Sequence, residues 1–261
     1  MKLPYYVVDA FSGAPFHGNP AGVCPLPEWL PDEVMQSVAF ENNLSETAFI
    51  VPRGAYYELR WFTPATEVDL CGHATLASAY TLMRFVDTGA QRVEFRTKSG
   101  PLAVSRSGGM YTLDFPSRPP VPCEKPAALE RALGVPVLET YMARDMLALV
   151  ADESMVRDLS PDFAALREVD AFGIAVTARG QSCDFVSRFF APHHGIDEDP
   201  VTGSSHCMLT PFWRGRLGKT RMTARQLSRR GGELFVEDCG DRVRIGGKAV
   251  CYLQGEIEID V

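Results

Sequence analysis

The pentapeptide Arg60-Trp61-Phe62-Thr63-Pro64 returns 128 positions later as Arg188-Phe189-Phe190-Ala191-Pro192. It is one of several collinear echoes. Gly100-x-Leu102-x-Val104-x-x-x-Gly108 matches Gly232-x-Leu234-x-Val236-x-x-x-Gly240 at an offset of 132, and Leu113 and Ile245 follow each second glycine by five residues. Pro31-Asp32 matches Pro161-Asp162 at an offset of 130, and the glycine-led helix starts at Gly72-His73-Ala74 and Gly203-Ser204-Ser205 are 131 apart. A Gly-x-Leu-x-Val string alone is only how hairpins look. A set of matches in order, at nearly constant spacing, implies a duplicated chain. Each half then carries a Pro-Asp-started helix (31–43 and 160–168) and an apolar strand (48–52 and 172–178). Next come a strand ending in aromatic-x-Pro (56–62 and 183–190), a helix (73–85 and 204–215) and a hairpin (92–115 and 232–246). In the first long helix Leu76, Tyr80 and Met83 fall at i, i+4 and i+7, an amphipathic stripe. The proline-rich run through Pro116, Pro119, Pro120, Pro122 and Pro126 reads as a stiff connection, so the halves are drawn as 1–116 and 117–261, with the last strand able to pack across the boundary. Two equivalent α/β halves place a small-molecule site in the cleft between them.

Bulk properties exclude several classes. The net charge of −7 disfavours a nucleic-acid partner, which needs a basic stripe. Seven cysteines without a Cys-x-x-Cys disfavour both a disulfide framework and a structural zinc site. There is neither a signal-peptide pattern nor a membrane span, so the expectation is a cytoplasmic protein. No Gly-x-Ser-x-Gly elbow, dinucleotide fingerprint or phosphate loop is present.

Three features carry chemistry. Glu46 sits at the entrance to the apolar run Thr47–Val51, where partial desolvation raises a carboxyl toward the range of a general acid/base. The corresponding stretch Val169–Val176 has no carboxylate after Asp170, which suggests one-base chemistry. The two glycine-led helix starts, after Asp69 and after Asp197-Glu198-Asp199, offer free N–H groups and positive helix ends to a carboxylate. His73 at such a start is expected to be biased toward the neutral form. Cys71 is a possible thiol base, but its counterpart is Thr202, which disfavours a two-thiol racemase. Cys207 matches Leu76 and reads as packing. His193 and His194 lack metal-ligand spacing.

The segments Val8-Asp9-Ala10-Phe11, Gly18-Asn19-Pro20-Ala21-Gly22-Val23, Asn43-Leu44-Ser45-Glu46-Thr47-Ala48-Phe49, Arg60–Pro64 with Glu67–Thr75, and Glu198-Asp199-Pro200-Val201-Thr202-Gly203-Ser204 together resemble the PhzF family of phenazine-biosynthesis isomerases. The resemblance implies an α+β, diaminopimelate-epimerase-like fold: two pseudo-symmetric halves, each a mixed sheet around a central helix, with the active site between them. It implies Glu46, His73 and Asp199 as catalytic residues, and Asn19, Ser45, Gly72, Ala74, Gly203 and Ser204 as substrate-binding ones. Gly72 and Asp199 stand where related epimerases carry their two thiols, which leaves Cys71 a neighbour of the site. The implied reaction is a cofactor-independent, metal-free proton shift on a small carboxylated metabolite by a homodimer that binds neither nucleic acid nor membrane. An epimerase on the same fold using Cys71, and a non-catalytic metabolite-binding module, are the alternatives.

Overall fold

The computed structural model describes residues 1–259 of the chain. It forms two compact units, Met1–Asp114 joined by the described residues from Gly246 onward, and Phe115–Ile245. The return of the C-terminal stretch to the first unit has a plain cause. It forms a long strand that pairs antiparallel along the whole N-terminal strand, from Lys2↔Glu258 to Ala10↔Ala249.

The first unit runs β1 (Lys2–Ala10), β2 (Asn19–Pro25), α1 (Asp32–Asn42), β3 (Glu46–Arg53), β4 (Tyr56–Phe62), β5 (Glu67–Val68), α2 (Gly72–Thr81), β6 (Arg92–Thr97), β7 (Gly100–Ser107) and β8 (Met110–Pro116). Strand β2 pairs antiparallel with β1 and parallel with β3, β3 antiparallel with β4, β4 parallel with β6, and β6 antiparallel with β7. The second unit contains β9 (Val121–Pro122), α3 (Leu129–Leu133), β10 (Glu139–Met142), β11 (Met146–Leu149), α4 (Glu153–Arg157), α5 (Phe163–Leu166), β12 (Ile174–Arg179), β13 (Phe185–Ala191), β14 (Ile196–Asp199), α6 (His206–Leu217), β15 (Arg221–Gln226) and β16 (Gly232–Asp238). After these come β17 (Arg242–Gly247) and the returning strand β18 (Ala249–Glu258). The second unit repeats the pairing senses of the first. Strand β11 is antiparallel to β10 and parallel to β12, β12 antiparallel to β13, β13 parallel to β15, and β15 antiparallel to β16. The duplication read from sequence is therefore a duplication of topology. No helix among the described residues is long and apolar enough to cross a membrane.

Helix α2 differs from the amphipathic surface helix that its Leu76/Tyr80/Met83 stripe suggests. Every residue from Gly72 to Thr81 except Tyr80 is buried. It is a central helix, in contact with β1, β2, β3, β7 and β18, and its small residues let those strands approach closely. Its buried hydroxyls do not need water. Ser78 donates to the Ala74 carbonyl (2.7 Å) and Thr81 to the Ala77 carbonyl (3.0 Å), each reaching back one turn.

The helix expected over 160–168 is the short α5, Phe163–Leu166, and a separate short helix, α4, precedes it at Glu153–Arg157. Asp152 caps α4 through the Met155 N–H, and Asp162 caps α5 through the Ala164 and Ala165 N–H groups. Pro161 separates them, since the residue before a proline is pushed out of helical conformation. The proline-rich stretch is also not a free connection. Cys123 N–H donates to the Thr140 carbonyl (3.1 Å), and Arg118 N–H donates to the Cys207 carbonyl (2.9 Å). That carbonyl is the one left without its helical donor by Pro211, inside α6.

The repeated arginines have the same duty in each unit. Arg60 forks onto Glu67 through Nε (2.7 Å) and Nη2 (2.8 Å), with its guanidinium 5.2 Å over the Phe62 ring. Arg188 forks onto Glu198 through Nε (2.6 Å) and Nη2 (2.9 Å), with its guanidinium 5.2 Å over Phe190. The Arg-aromatic-aromatic-x-Pro echo is thus a structural ion pair whose job is to hold each acidic loop against its strand.

Candidate active site

Glu46 is the first residue of β3, and the parallel pairing Ala21↔Glu46 sets it beside the start of β2. The loop before β2 is shaped by Asp9, whose buried carboxylate accepts the Phe16 N–H (2.9 Å). The loop ends at Gly18, which has φ +71°, and a Cβ there would lie 2.1 Å from the Ala10 carbonyl oxygen. Only glycine fits that turn, and the turn delivers Asn19 to the buried imidazole of His73 at the start of α2.

His73 is the hub. Asn19 Nδ2 lies 3.2 Å from Nδ1, and Cys71 Sγ lies 3.5 Å from the same nitrogen. Nε2 lies 3.1 Å from Glu46 Oε2, and the Glu46 side chain is only 12% exposed. That last contact has the distance of an ion pair without the angles of a hydrogen bond, so both atoms are buried with no hydrogen-bond partner among the described residues.

Burial by itself would depress the His73 pKa. The negative charge it faces, from Cys71 and Glu46, outweighs burial and holds the imidazole well above the usual histidine range. Burial pushes the Cys71 thiol up to about 11, with the Glu46 charge adding to it. The sulfur is therefore protonated at neutral pH, and Glu46 is the carboxylate that faces His73. The neutral bias expected from the helix end is overturned, because a carboxylate 3.1 Å away outweighs the partial charge of a helix terminus. Donor atoms of Glu46, Cys71 and His73 all lie within 4.8 Å of one another, as a metal site would require. As oriented, however, the imidazole turns Nδ1 to the sulfur and Nε2 to the carboxylate. The sulfur and the carboxylate thus meet opposite nitrogens of one ring.

The other expected residues of the first unit flank this pair. Ser45 precedes Glu46 and is half-buried, while Gly72 and Ala74 are buried in the first turn of α2. In the second unit Asp199 ends β14, and its carboxylate accepts from the Thr202 hydroxyl. Gln226, fully buried on β15, clamps this turn. It donates to the Asp199 carbonyl (2.7 Å) and accepts from the Thr202 N–H (2.8 Å). Gly203 is buried and Ser204 half-buried ahead of α6. Ser204 Oγ meets Arg144 Nη2 at 3.2 Å. Neither Gln226 nor Arg144 stands out in the sequence, because neither falls in a repeated motif. Cys207 is buried with its thiol pushed up to about 12, in keeping with a packing role.

His206, fully buried behind this turn, accounts for a pH effect. Its Nδ1 lies 2.8 Å from the Thr202 carbonyl, and burial lowers its pKa to about 4 against the opposing effect of that hydrogen bond. Between pH 6.5 and about 4 the unfolded chain takes up a proton that the folded chain refuses. This contribution is fully present above 6.5 and is lost as pH falls through that window. At about 1.4 kcal/mol per pH unit it amounts to roughly 3 kcal/mol. Urea unfolding at pH 7 and 4.5 should show the loss, and His206→Gln should flatten it.

Residues 8–255 match the family described as "Phenazine biosynthesis-like protein". An uncharacterized isomerase of Pseudomonas aeruginosa is 51% identical over 99% of this chain and 100% of its own length. A PhzF-family crystal structure from Enterococcus faecalis superposes with a TM-score of 0.97 at 48% identity, covering 99% of this chain and 100% of that one. A hydroxyproline epimerase from Agrobacterium vitis shares the fold alone, with a TM-score of 0.67 at 10% identity over 98% of this chain and 92% of that one. The chain therefore belongs to the phenazine biosynthesis-like PhzF family, has the α+β fold of the diaminopimelate epimerases and proline racemases, and is an enzyme of the isomerase class.

Proposed function

We propose that this isomerase shifts a proton between carbon atoms of a small carboxylated, cyclic or unsaturated, metabolite, without a cofactor, and that Glu46 carries the proton. The observation that supports the reading is the Glu46–His73 pair, 3.1 Å apart, buried, and lacking hydrogen-bond alignment. A carboxylate so placed keeps a lone pair available for a C–H proton. The imidazole beside it, with its pKa held above the usual histidine range, supplies a positive partner for that carboxylate. Glu46 then returns the proton at a second carbon, so no atom or electron is gained or lost overall. The N–H groups at the start of α2 suit the negative charge that develops between the two steps.

Asp199 is proposed as an assisting acid in the second unit, and homodimeric assembly is proposed with it; both rest on the family resemblance. The competing reading, a Cys71-based epimerase, is disfavoured by a thiol held up to about 11. The test is exchange in D2O with a panel of small unsaturated carboxylates, followed by NMR. Deuterium should enter the isomerised carbon with the wild-type and Cys71→Ser proteins and not with Glu46→Gln. Exchange that survives in Glu46→Gln and disappears in Cys71→Ser would overturn the proposal.

A further inference from the structure

The duplication allows the corner that holds Glu46 to be located in the second unit. Strand pairing fixes the equivalence from the repeated motif outward. Phe62 corresponds to Phe190 through the repeated motif; Thr47 pairs with Phe62 and Ile174 with Phe190; Gly22 pairs with Thr47 and Met146 with Ile174. Counting back one and two residues from Thr47 and Ile174, and two and three from Gly22 and Met146, Glu46 becomes Gly173, Ser45 becomes Phe172, and the Asn19-Pro20 pair becomes Ala143-Arg144. A Cβ at Gly173 would lie 2.2 Å from the Phe189 ring, so this position has no room for any side chain, let alone a carboxylate. Arg144 stands at the position of Pro20, next to that of Asn19, and its contact with Ser204 reaches the position equivalent to His73, residues 73 and 204 being related by the same offset of 131.

The second corner has thus exchanged a proton-transferring group for a cation. Arg144 is held for recognition. Nε lies 3.0 Å from Asp145 Oδ1 and Nη2 lies 2.8 Å from Oδ2, and Asp145 is only 3% exposed. The guanidinium lies 4.4 Å over the Phe172 ring, which is itself 4.1 Å from the His194 ring. The fork is therefore fixed on one edge by a buried carboxylate and on one face by an aromatic ring. Nη1, which forms no hydrogen bond among the described residues, remains available, on a side chain 30% exposed. A guanidinium oriented in this way reads the planar fork of a carboxylate.

The geometry points to Arg144 as the residue of the second unit that binds the substrate's carboxylate, in concert with Ser204, while Asp145 and Phe172 are positioning residues that aim it. The inference rests on the reading of Ser204 as a substrate-lining residue. It adds what the sequence motifs leave out, the positive group that selects acids over their neutral analogues.

The test is NMR titration with benzoate and benzamide, which differ in the charge of one planar group. Wild type should bind benzoate at least tenfold more tightly than benzamide. Arg144→Gln should remove that preference, Arg144→Lys should keep part of it, and Phe172→Ala should weaken benzoate binding without removing selectivity. Glu46→Gln, which ends proton transfer on the reading above, should leave the benzoate preference in place, so failure of one reading is separable from failure of the other. Thermal melts report whether each variant is folded, and if Arg144→Gln does not fold, Arg144→Lys and Phe172→Ala still decide. A wild-type chain with no preference for benzoate, or an Arg144→Lys variant with the full wild-type preference, overturns the assignment.

Discussion

Glu46→Gln is expected to lower the turnover of the isomerisation by roughly 10²–10⁴-fold, the usual contribution of a positioned acid/base group. The substitution keeps shape and polarity and breaks no hydrogen bond, because Glu46 Oε2 makes none. The loss should appear in kcat more than in KM. His73 adds a pH signature. Since Glu46 holds the imidazolium above the ordinary histidine value of 6.5, the alkaline fall of the rate profile should lie above that value. In Glu46→Gln the His73 pKa should fall, and a direct titration of His73 by NMR would detect this even in an inactive variant. A His73 that titrates identically in wild type and Glu46→Gln would show that the two groups are not coupled.

The largest effect on stability should come from Arg188→Ala, at about 3–5 kcal/mol, because it removes a buried guanidinium and leaves both the Glu198 carboxylate and the Leu159 carbonyl without their donor. Arg188 is 9% exposed, forks onto Glu198, and donates through Nη1 to the Leu159 carbonyl at 2.7 Å. Its counterpart Arg60 is the internal control. Its side chain is 18% exposed, and Glu67 keeps a second partner in Lys98 when Arg60 is removed. Arg60→Ala should therefore cost less, roughly 1–3 kcal/mol, near the value of hydrogen bonds to a charged group. Denaturant unfolding followed through tryptophan fluorescence separates the two. Trp213 is stacked on Phe185 in the second unit, while Trp29 and Trp61 report the first. Equal losses in the two variants would mean that burial does not set the worth of the repeated ion pair.

The pattern of repeats determined the architecture, because matched motifs at constant spacing can only be accommodated by two units of matched topology, and the strand pairings bear this out residue by residue. Glu46 at the mouth of an apolar strand, and His73 at a glycine-led helix start, were likewise legible, since local order along the chain places each of them. What lay outside the sequence was set by neighbours distant along the chain. The charge state of His73 depends on a carboxylate 27 positions away, and the burial of α2 on strands drawn from both ends of the first unit. The return of β18 to β1 depends on pairing across nearly the full length of the chain. Arg144 had no motif to mark it, and its correspondence to the Asn19-Pro20 corner became visible only when β11 and β12 were seen paired as β2 and β3 are. Local propensity fixes elements and their order, whereas electrostatics and packing act through space, and only the folded chain decides which groups share it.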